Sequence, residues 1–209
     1  EDAGGAHGSN RLGGNGVANS TVYGGIAGDV MAADAQKMST LHDPDETILD
    51  EELARAIIPF SAKPGNVHEL RVRLMDAMWD DVGVMRDAAG LKLGIEKIAS
   101  LKTDMENVGV SADNLAFNLS WHDWLSLQSL IDTSEVIAKA GLSRENSRGA
   151  HFREDFPDAG SLDDSYFTIA TSGDKGIEVN REAVKFTIVK PGESLLGADE
   201  AETLVEAAQ

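Results

Sequence analysis

The sequence predicts a mainly α-helical chain with a small β part. Apolar residues recur at helical spacing across residues 66–148, and β-favouring runs appear only after Pro157. A third observation sets the N-terminus apart: nine glycines fall within the first 28 residues, against a usual share of about 7%. Hydrophobic residues make up 42% of the 209 positions, enough to build a packed core.

The glycine-rich run has no strand or helix before it, so the chain is expected to begin inside a loop, as a piece of a longer protein would. From Val17 the pattern turns helical. Val22, Ile26 and Val30 join Val17 on one face, and Asn15 is placed to cap the start. Residues 39–65 read as a connector: Asp43-Pro44-Asp45-Glu46 opens a short helix near 49–57, and Pro59 and Pro64 stop it.

Residues 66–148 predict a three-helix, up-down bundle. Asn66 caps a helix carrying Leu70, Leu74, Ala77 and Met78, and Gly83 breaks the pattern. The second helix places Leu91, Ile95, Ile98, Leu101 and Met105 on one stripe and ends at Gly109. Ser120-Trp121-His122-Asp123 resembles a capping box, followed by Leu127, Leu130, Ile131, Val136, Ile137 and Ala140, with Gly149 as the stop. Trp79, Trp121 and Trp124 are read as core residues or interface anchors.

The remainder, 149–209, predicts a return segment, a small antiparallel sheet and an acidic tail. Tyr166–Ala170 and Val184–Val189 are the expected strands, with a turn at Ser172-Gly173-Asp174 between them. Asp199 to Gln209 is rich in alanine and glutamate and reads as a frayed helix or tail.

Composition excludes several functions. Acidic residues outnumber basic ones 36 to 18, for a net charge of −18. Such a surface repels nucleic-acid phosphate and anionic lipid. An anionic substrate needs a local arginine or a helix N-terminus to reverse that field. No cysteine is present, so disulfides, thiolate-bound zinc and Cys-ligated iron–sulfur clusters cannot form from these residues. No run of about 18 apolar residues offers a membrane span. His42, His68 and His122 have no ligand-spaced partners, and no metal site is expected. A cytoplasmic home is consistent with the missing cysteines.

Two constellations carry chemistry. The first runs from Glu1 to Val17, EDAGGAHGSNRLGGNGV. A single arginine sits in a glycine-rich loop that feeds a helix N-terminus. The glycines let backbone N–H groups approach a ligand, the helix start offers unpaired donors, and the Arg11 guanidinium matches a carboxylate. A turn-rich loop with a surface arginine fits the residues equally well. A dinucleotide fingerprint fails, because Asn19 stands where the third glycine belongs. A calcium loop from Asp43 fails at Ile48 and Ala54.

The run Gly-x-His-Gly-x-Asn-Arg-Leu-Gly-Gly-Asn, followed by Gly24-Gly25-Ile26-Ala27-Gly28, is similar to the loop that re-enters the FAD-binding domain of succinate dehydrogenase and fumarate reductase flavoproteins. The resemblance implies that Glu1 binds FAD and that Arg11 binds a substrate carboxylate. It implies that Gly14 lies against substrate, and that Gly16 and Val17 contact the flavin through their backbone. Gly16 stands where many members carry serine or alanine. His7 is left open between structural hydrogen bonding and a place near the flavin.

The second constellation, Arg144-Glu145-Asn146-Ser147-Arg148-Gly149-Ala150-His151-Phe152-Arg153-Glu154-Asp155-Phe156-Pro157, resembles an Arg-x-Glu-Ser-Arg-Gly-Ala-His-x-Arg-x-Asp-x-Pro segment of the same family. L-aspartate oxidase carries a related Ser-Arg-Gly-x-His version. Asn146 departs from the usual glutamate. Met78 to Arg86 looks like the family's bundle entry. Arg148, His151 and Arg153 are read as structural, docking the returning chain through arginine–carboxylate pairs.

The resemblance makes residues 1–38 the C-terminal piece of an FAD-binding domain. It implies an oxidoreductase that interconverts a C4-dicarboxylate and its alkene, with FAD bound mainly by upstream sequence. It also implies an electron partner such as an iron–sulfur subunit, which would give membrane association only through partners. The proton-transfer arginine would lie upstream, so no catalytic residue is assigned here, and the chain alone is expected to be inactive. An L-aspartate oxidase-like enzyme and a non-catalytic helical interaction module are the alternatives.

Overall fold

A computed structural model describes residues 7–8, 10–40, 43–111, 114–173 and 176–194. Five helices occur among them: α1 (Asn15–Lys37), α2 (Glu46–Ile57), α3 (Val67–Asp80), α4 (Ala88–Glu106) and α5 (Leu119–Ser143). Four short strands join them: β1 (Met85–Arg86), β2 (Phe152–Arg153), β3 (Tyr166–Gly173) and β4 (Gly176–Ala183).

Helices α3, α4 and α5 form the bundle, and side-chain caps open each of them. Asn66 Oδ1 accepts the Glu69 N–H (3.1 Å), Asp87 Oδ1 that of Gly90 (2.7 Å), and Asn118 Oδ1 that of Trp121 (3.0 Å). The cap of α5 is therefore Asn118, two residues before the expected Ser120. An asparagine carbonyl satisfies the same orphan donors without a partner glutamate.

The core joins Leu70 and Leu74 of α3, Leu91, Ile98, Leu101 and Met105 of α4, and Trp124, Leu127, Ile131 and Ala138 of α5. The α4 stripe is the one the spacing predicts, with Ile95 at its edge. On α5 the buried face is Trp124, Leu127, Ile131, Ser134, Ala138 and Gly141. Leu130 and Ile137, expected in the core, are 43% and 42% exposed. The 3-4-3-4 stripe passes through small residues at 134 and 138, and the larger apolar side chains beside it flank the contact.

Gly94 is required by a close approach. A Cβ there would come within 2.6 Å of the Val82 side chain, which is 2% exposed and lies in the turn after α3. Asp81, in the same turn, is held by Lys97 Nζ at 2.6 Å. Trp124 is the core tryptophan, its Nε1–H donating to Val108 O at 2.7 Å. Trp121 ties α5 to the connector by donating to Ala56 O (2.6 Å) and packing edge-on to Phe60. Trp79 is 80% exposed and joins no core.

The third helix ends at Ser143, not at Gly149. Gly149, with φ 59°, instead serves a tight turn in which Arg148 and His151 exchange backbone hydrogen bonds of 2.9 and 3.0 Å. The return segment then pairs β2 in parallel with β1, Met85 opposite Phe152 and Arg86 opposite Arg153. The antiparallel hairpin is β3–β4, from Tyr166↔Ala183 to Gly173↔Gly176. Its second strand lies at 176–183, ahead of the expected Val184–Val189 run. Pairing runs as far as Gly173↔Gly176, and the alternation of Ile177 and Val179 with Glu178 and Asn180 supplies the inward face. Lys139 Nζ holds the hairpin to α5 through Ile177 O at 3.1 Å.

Helix α1 stands apart: it buries no residue, and Val17, Val22, Ile26 and Val30 are 77%, 56%, 55% and 55% exposed. Among the described residues no helix is long and apolar enough to cross a membrane. The segment from Asp199 to Gln209 lies outside the described residues.

Candidate functional site

The N-terminal loop reaches α1 through Gly14, whose φ of 83° lies in the left-handed region. A side chain is strained there, so glycine is the residue that makes the turn. Asn15 is the first helical residue, and no side chain caps the helix. The expected cap at Asn15 is therefore corrected. Backbone bonds satisfy Asn15 N–H (to Leu12 O, 3.3 Å) and Ala18 N–H (to Gly14 O, 3.3 Å). Between them, the N–H groups of Gly16 and Val17 have no acceptor among the described residues. They point from the positive end of a 23-residue helix.

Arg11 is exposed and its guanidinium lies over Gly16, in the space a Cβ would fill. No carboxylate pairs with it among the described residues. A serine or alanine at 16 would push it away. His7 Nε2 accepts from Asn19 Nδ2 at 3.1 Å, which fastens the loop to the first turns of α1. Glu1 lies outside the described residues. Arg11, Gly14, Gly16, Val17 and His7 are thus brought together at one helix start.

The return segment is organised by Arg153, which is 1% exposed. Its Nε and Nη2 donate to Asp155 Oδ1 and Oδ2, both at 2.7 Å. Its Nη1 donates to the carbonyls of Gly141 (3.0 Å), Leu142 (3.1 Å) and Arg144 (3.1 Å). Asp155 Oδ2 also accepts the Ala88 N–H at 3.0 Å. One ion pair therefore puts a cation at the C-terminus of α5 and an anion at the N-terminus of α4, each matching the helix dipole it meets. The Arg153 hydrogen bonds hold the Asp155 carboxyl down to about 2.

His151 bridges two arginines. Its Nδ1 faces Arg86 Nη1 at 3.0 Å and its Nε2 faces Arg144 O at 3.3 Å. A guanidinium can only donate and a carbonyl can only accept, so the imidazole is neutral with its proton on Nε2. Burial lowers its pKa below the usual histidine value, and Arg86, Arg144 and Arg153 push the same way. Arg148 donates from Nε to Ala159 O, from Nη1 to Ser165 Oγ (2.9 Å) and from Nη2 to Ser161 O. Only Arg153 uses the carboxylate pairing expected for this segment. Arg148 and His151 dock the chain through neutral acceptors. Arg181 was not singled out in the sequence, and Arg86, at the end of the bundle-entry stretch, and Arg144, at the start of the second constellation, were given no role there. Asn146, 8% exposed, leaves its Oδ1 without a donor among the described residues.

The three-helix bundle closed by this return segment matches the C-terminal domain of a flavoprotein. The family model of the fumarate reductase flavoprotein C-terminus matches residues 71–195. The chain belongs to the fumarate reductase/succinate dehydrogenase flavoprotein family, as the C-terminal part of such a protein. It is 34% identical over 160 residues to a CoM/CoB-type fumarate reductase component of Methanothermobacter marburgensis, covering 76% of this chain and 28% of the relative. It is 31% identical over 157 residues to an L-aspartate oxidase of Yersinia pestis, covering 74% of this chain and 27% of that one. The Mycobacterium smegmatis Sdh1 complex in its apo form superposes with a TM-score of 0.78 at 29% identity, over 96% of this chain and 35% of the other. The chain thus spans about a third or less of these relatives.

Proposed function

We propose that the intact flavoprotein containing this chain interconverts a C4-dicarboxylate and its alkene, and that this chain supplies one carboxylate clamp and the flavin-edge donors. The carrying observation is the uncapped start of α1, where the Gly16 and Val17 N–H groups are unpaired beside an arginine that no carboxylate engages among the described residues. These residues fit a flavin. Two free donors at the positive end of a helix suit its electron-rich N1–C2=O edge, and the absent Gly16 side chain leaves room for the Arg11 guanidinium beside them. When bound, FAD supplies the hydride chemistry.

The chain's own residues bind and orient. Arg11 grips one substrate carboxylate with a planar fork, in a chain whose net charge would otherwise repel a dianion. Gly14 keeps the loop low enough for substrate to lie against it. Glu1 binds FAD in this reading, and His7 sets the loop through Asn19. The proton-transfer arginine belongs to upstream sequence, the chain alone is inactive, and an iron–sulfur subunit exchanges electrons with the flavin. The enzyme is cytoplasmic, with membrane association only through such partners.

Arg11→Lys in the intact flavoprotein tests the reading. Charge is kept and the fork is lost, so kcat and kcat/KM fall by about 10²–10³, or roughly 3–4 kcal/mol, with flavin content unchanged. Unchanged kinetics at full flavin occupancy would remove Arg11 from the site. The similarity to an L-aspartate oxidase supports a second reading. Turnover of L-aspartate, with none of succinate or fumarate, would establish it.

A further inference from the structure

Nine arginines lie in the described residues, and they divide sharply. Arg55, Arg71, Arg73 and Arg153 each face a carboxylate within 4.0 Å. Arg11 and a group of four, Arg86, Arg144, Arg148 and Arg181, face none among the described residues, although the chain has 36 acidic side chains. These four gather around His151 and Tyr166. Arg86 meets the imidazole, and Arg144 and Arg181 both lie over the Tyr166 ring, 4.6 and 4.7 Å from its centroid.

Arg144 and Arg148 line one cleft of about 430 Å³ with His151, a volume within the range of small-molecule sites, about 300–1,000 Å³. Arg144 Nη1 is fixed by Thr168 Oγ1 (3.0 Å) and Tyr166 O (3.2 Å), and Arg148 by Ser165 Oγ. Each guanidinium has five N–H donors. Arg144 Nε and Nη2 have no acceptor among the described residues, and one N–H remains on each of Arg148 Nη1 and Nη2. Phe167, Val184 and Phe186 form an apolar wall beside these cations, with Phe167 45% and Phe186 39% exposed.

Fixed guanidinium groups with donors to spare, unopposed by carboxylate and set against exposed rings, describe half of a complementary pair. The missing half carries negative oxygen at one end and apolar surface at the other. We propose that the cleft between the return segment and the β3–β4 hairpin binds a small organic oxyanion, a carboxylate or phosphate on an apolar body. Its charge lies between Arg144 and Arg148, and its body lies along Phe167, Val184 and Phe186. Each guanidinium is anchored in advance by backbone and hydroxyl acceptors, so binding costs little ordering. Gly8 of the N-terminal loop borders the same cleft, but the inference does not depend on the redox reading, because the anchoring arginines and the apolar wall all come from the return segment and the hairpin region.

Calorimetric titration of the 209-residue chain at fixed ionic strength tests it, with four probes: 2-naphthoate, 2-naphthyl phosphate, 2-naphthylmethanol and inorganic phosphate. The two naphthyl anions should bind saturably at one site, with Kd at or below about 1 mM, and the neutral alcohol and inorganic phosphate at least about tenfold more weakly. The relative strength of the two anions tells a carboxylate site from a phosphate site. Arg148→Gln should abolish binding. Because Arg148 also holds the Ala159 and Ser161 carbonyls, that variant can loosen the segment, and Phe186→Ala supplies the independent measurement. It leaves the arginine scaffold intact and should weaken the naphthyl anions several-fold to about tenfold. Absence of naphthoate binding, equal binding of the alcohol, or unchanged affinity in Phe186→Ala would each overturn the proposal.

Discussion

The two ends of this chain use apolar residues in opposite ways. In the bundle, Leu91, Leu127, Ile98 and Ile131 are at most 1% exposed, and the segment that closes them carries its own counter-charges in Arg153 and Asp155. In α1, residues of the same kind stand more than half exposed along a regular helix whose first turn is uncapped. The bundle is closed by what the chain contains. Helix α1 has the pattern of a buried element without its cover. Periodicity therefore reports what a helix is built to bury, while its burial depends on which other elements are present.

Arg153 is where that comparison breaks with the largest effect. Arg153→Met leaves Asp155 without its partner and three α5-end carbonyls without a donor. Arg153 is buried while Asp155 is 31% exposed, so the main loss lies in the carbonyls left without a donor, at about 1–3 kcal/mol each. Urea denaturation of the 209-residue chain should show the loss. A midpoint equal to the parent's would mean that the return segment does not close the bundle.

Leu101→Ala comes next. The residue is 2% exposed at the centre of α4, and a leucine truncated in such a core costs about 2–5 kcal/mol. The same denaturation experiment measures it, and a change no larger than that of a surface substitution would refute the packing assigned to α4.

A smaller, pH-dependent effect tests the closing segment. His151 is neutral in the fold with its pKa lowered, first by burial and then by the arginines around it. The unfolded chain therefore takes up the proton first. The stability held in neutral His151 is complete above its ordinary value of 6.5 and declines as pH falls from there toward the folded value. Asp155 acts lower, its contribution being present above 3.8 and lost as pH falls through about 2. Denaturation midpoints measured from about pH 7.5 to about pH 5 should fall in the parent, and more gently in His151→Gln. Parallel slopes would remove His151 from the linkage.

The bundle was legible because its signals are local. The α4 stripe, the Asn66 cap and the Gly83 break each lie within a few residues of what they control. On α5 the stripe was misjudged at Leu130 and Ile137, because small residues at 134 and 138 bring the contact to that line, and small residues carry little hydrophobic signal. The second hairpin strand was missed for a related reason: Glu178 and Asn180 are poor strand formers, and the register that sets Gly173 opposite Gly176 decides where pairing falls. At the candidate site the residue types were readable from the loop, but its uncapped helix start was not, because Asn15 looks like a cap. The arginine group around His151 draws Arg86 and Arg181 to Arg144 and Arg148, and no spacing rule connects those distant positions to the motif.

The smallest effect concerns α1 and is the most direct test of the contrast. Val22→Ala should change the stability of the 209-residue chain by no more than about 0.5 kcal/mol, since the side chain is 56% exposed. Helices gain most of their stability from packing an apolar face, and Gly24, Gly25 and Gly28 each weaken α1 by about 1 kcal/mol relative to alanine. In the chain alone, amide exchange in α1 should therefore run close to that of a fraying helix. The amides of Leu127 to Ala138 in α5 should be slowed on the order of 10³-fold or more, as global unfolding of a domain stable by about 5 kcal/mol requires. In the intact flavoprotein, α1 should become protected, and Val22→Ala should become as costly as a core truncation. Two results would break the comparison: α1 protected as strongly as α5 in the isolated chain, or α1 still unprotected in the intact flavoprotein. The first would show that α1 is stable without a cover, and the second that its apolar stripe is not an interface at all.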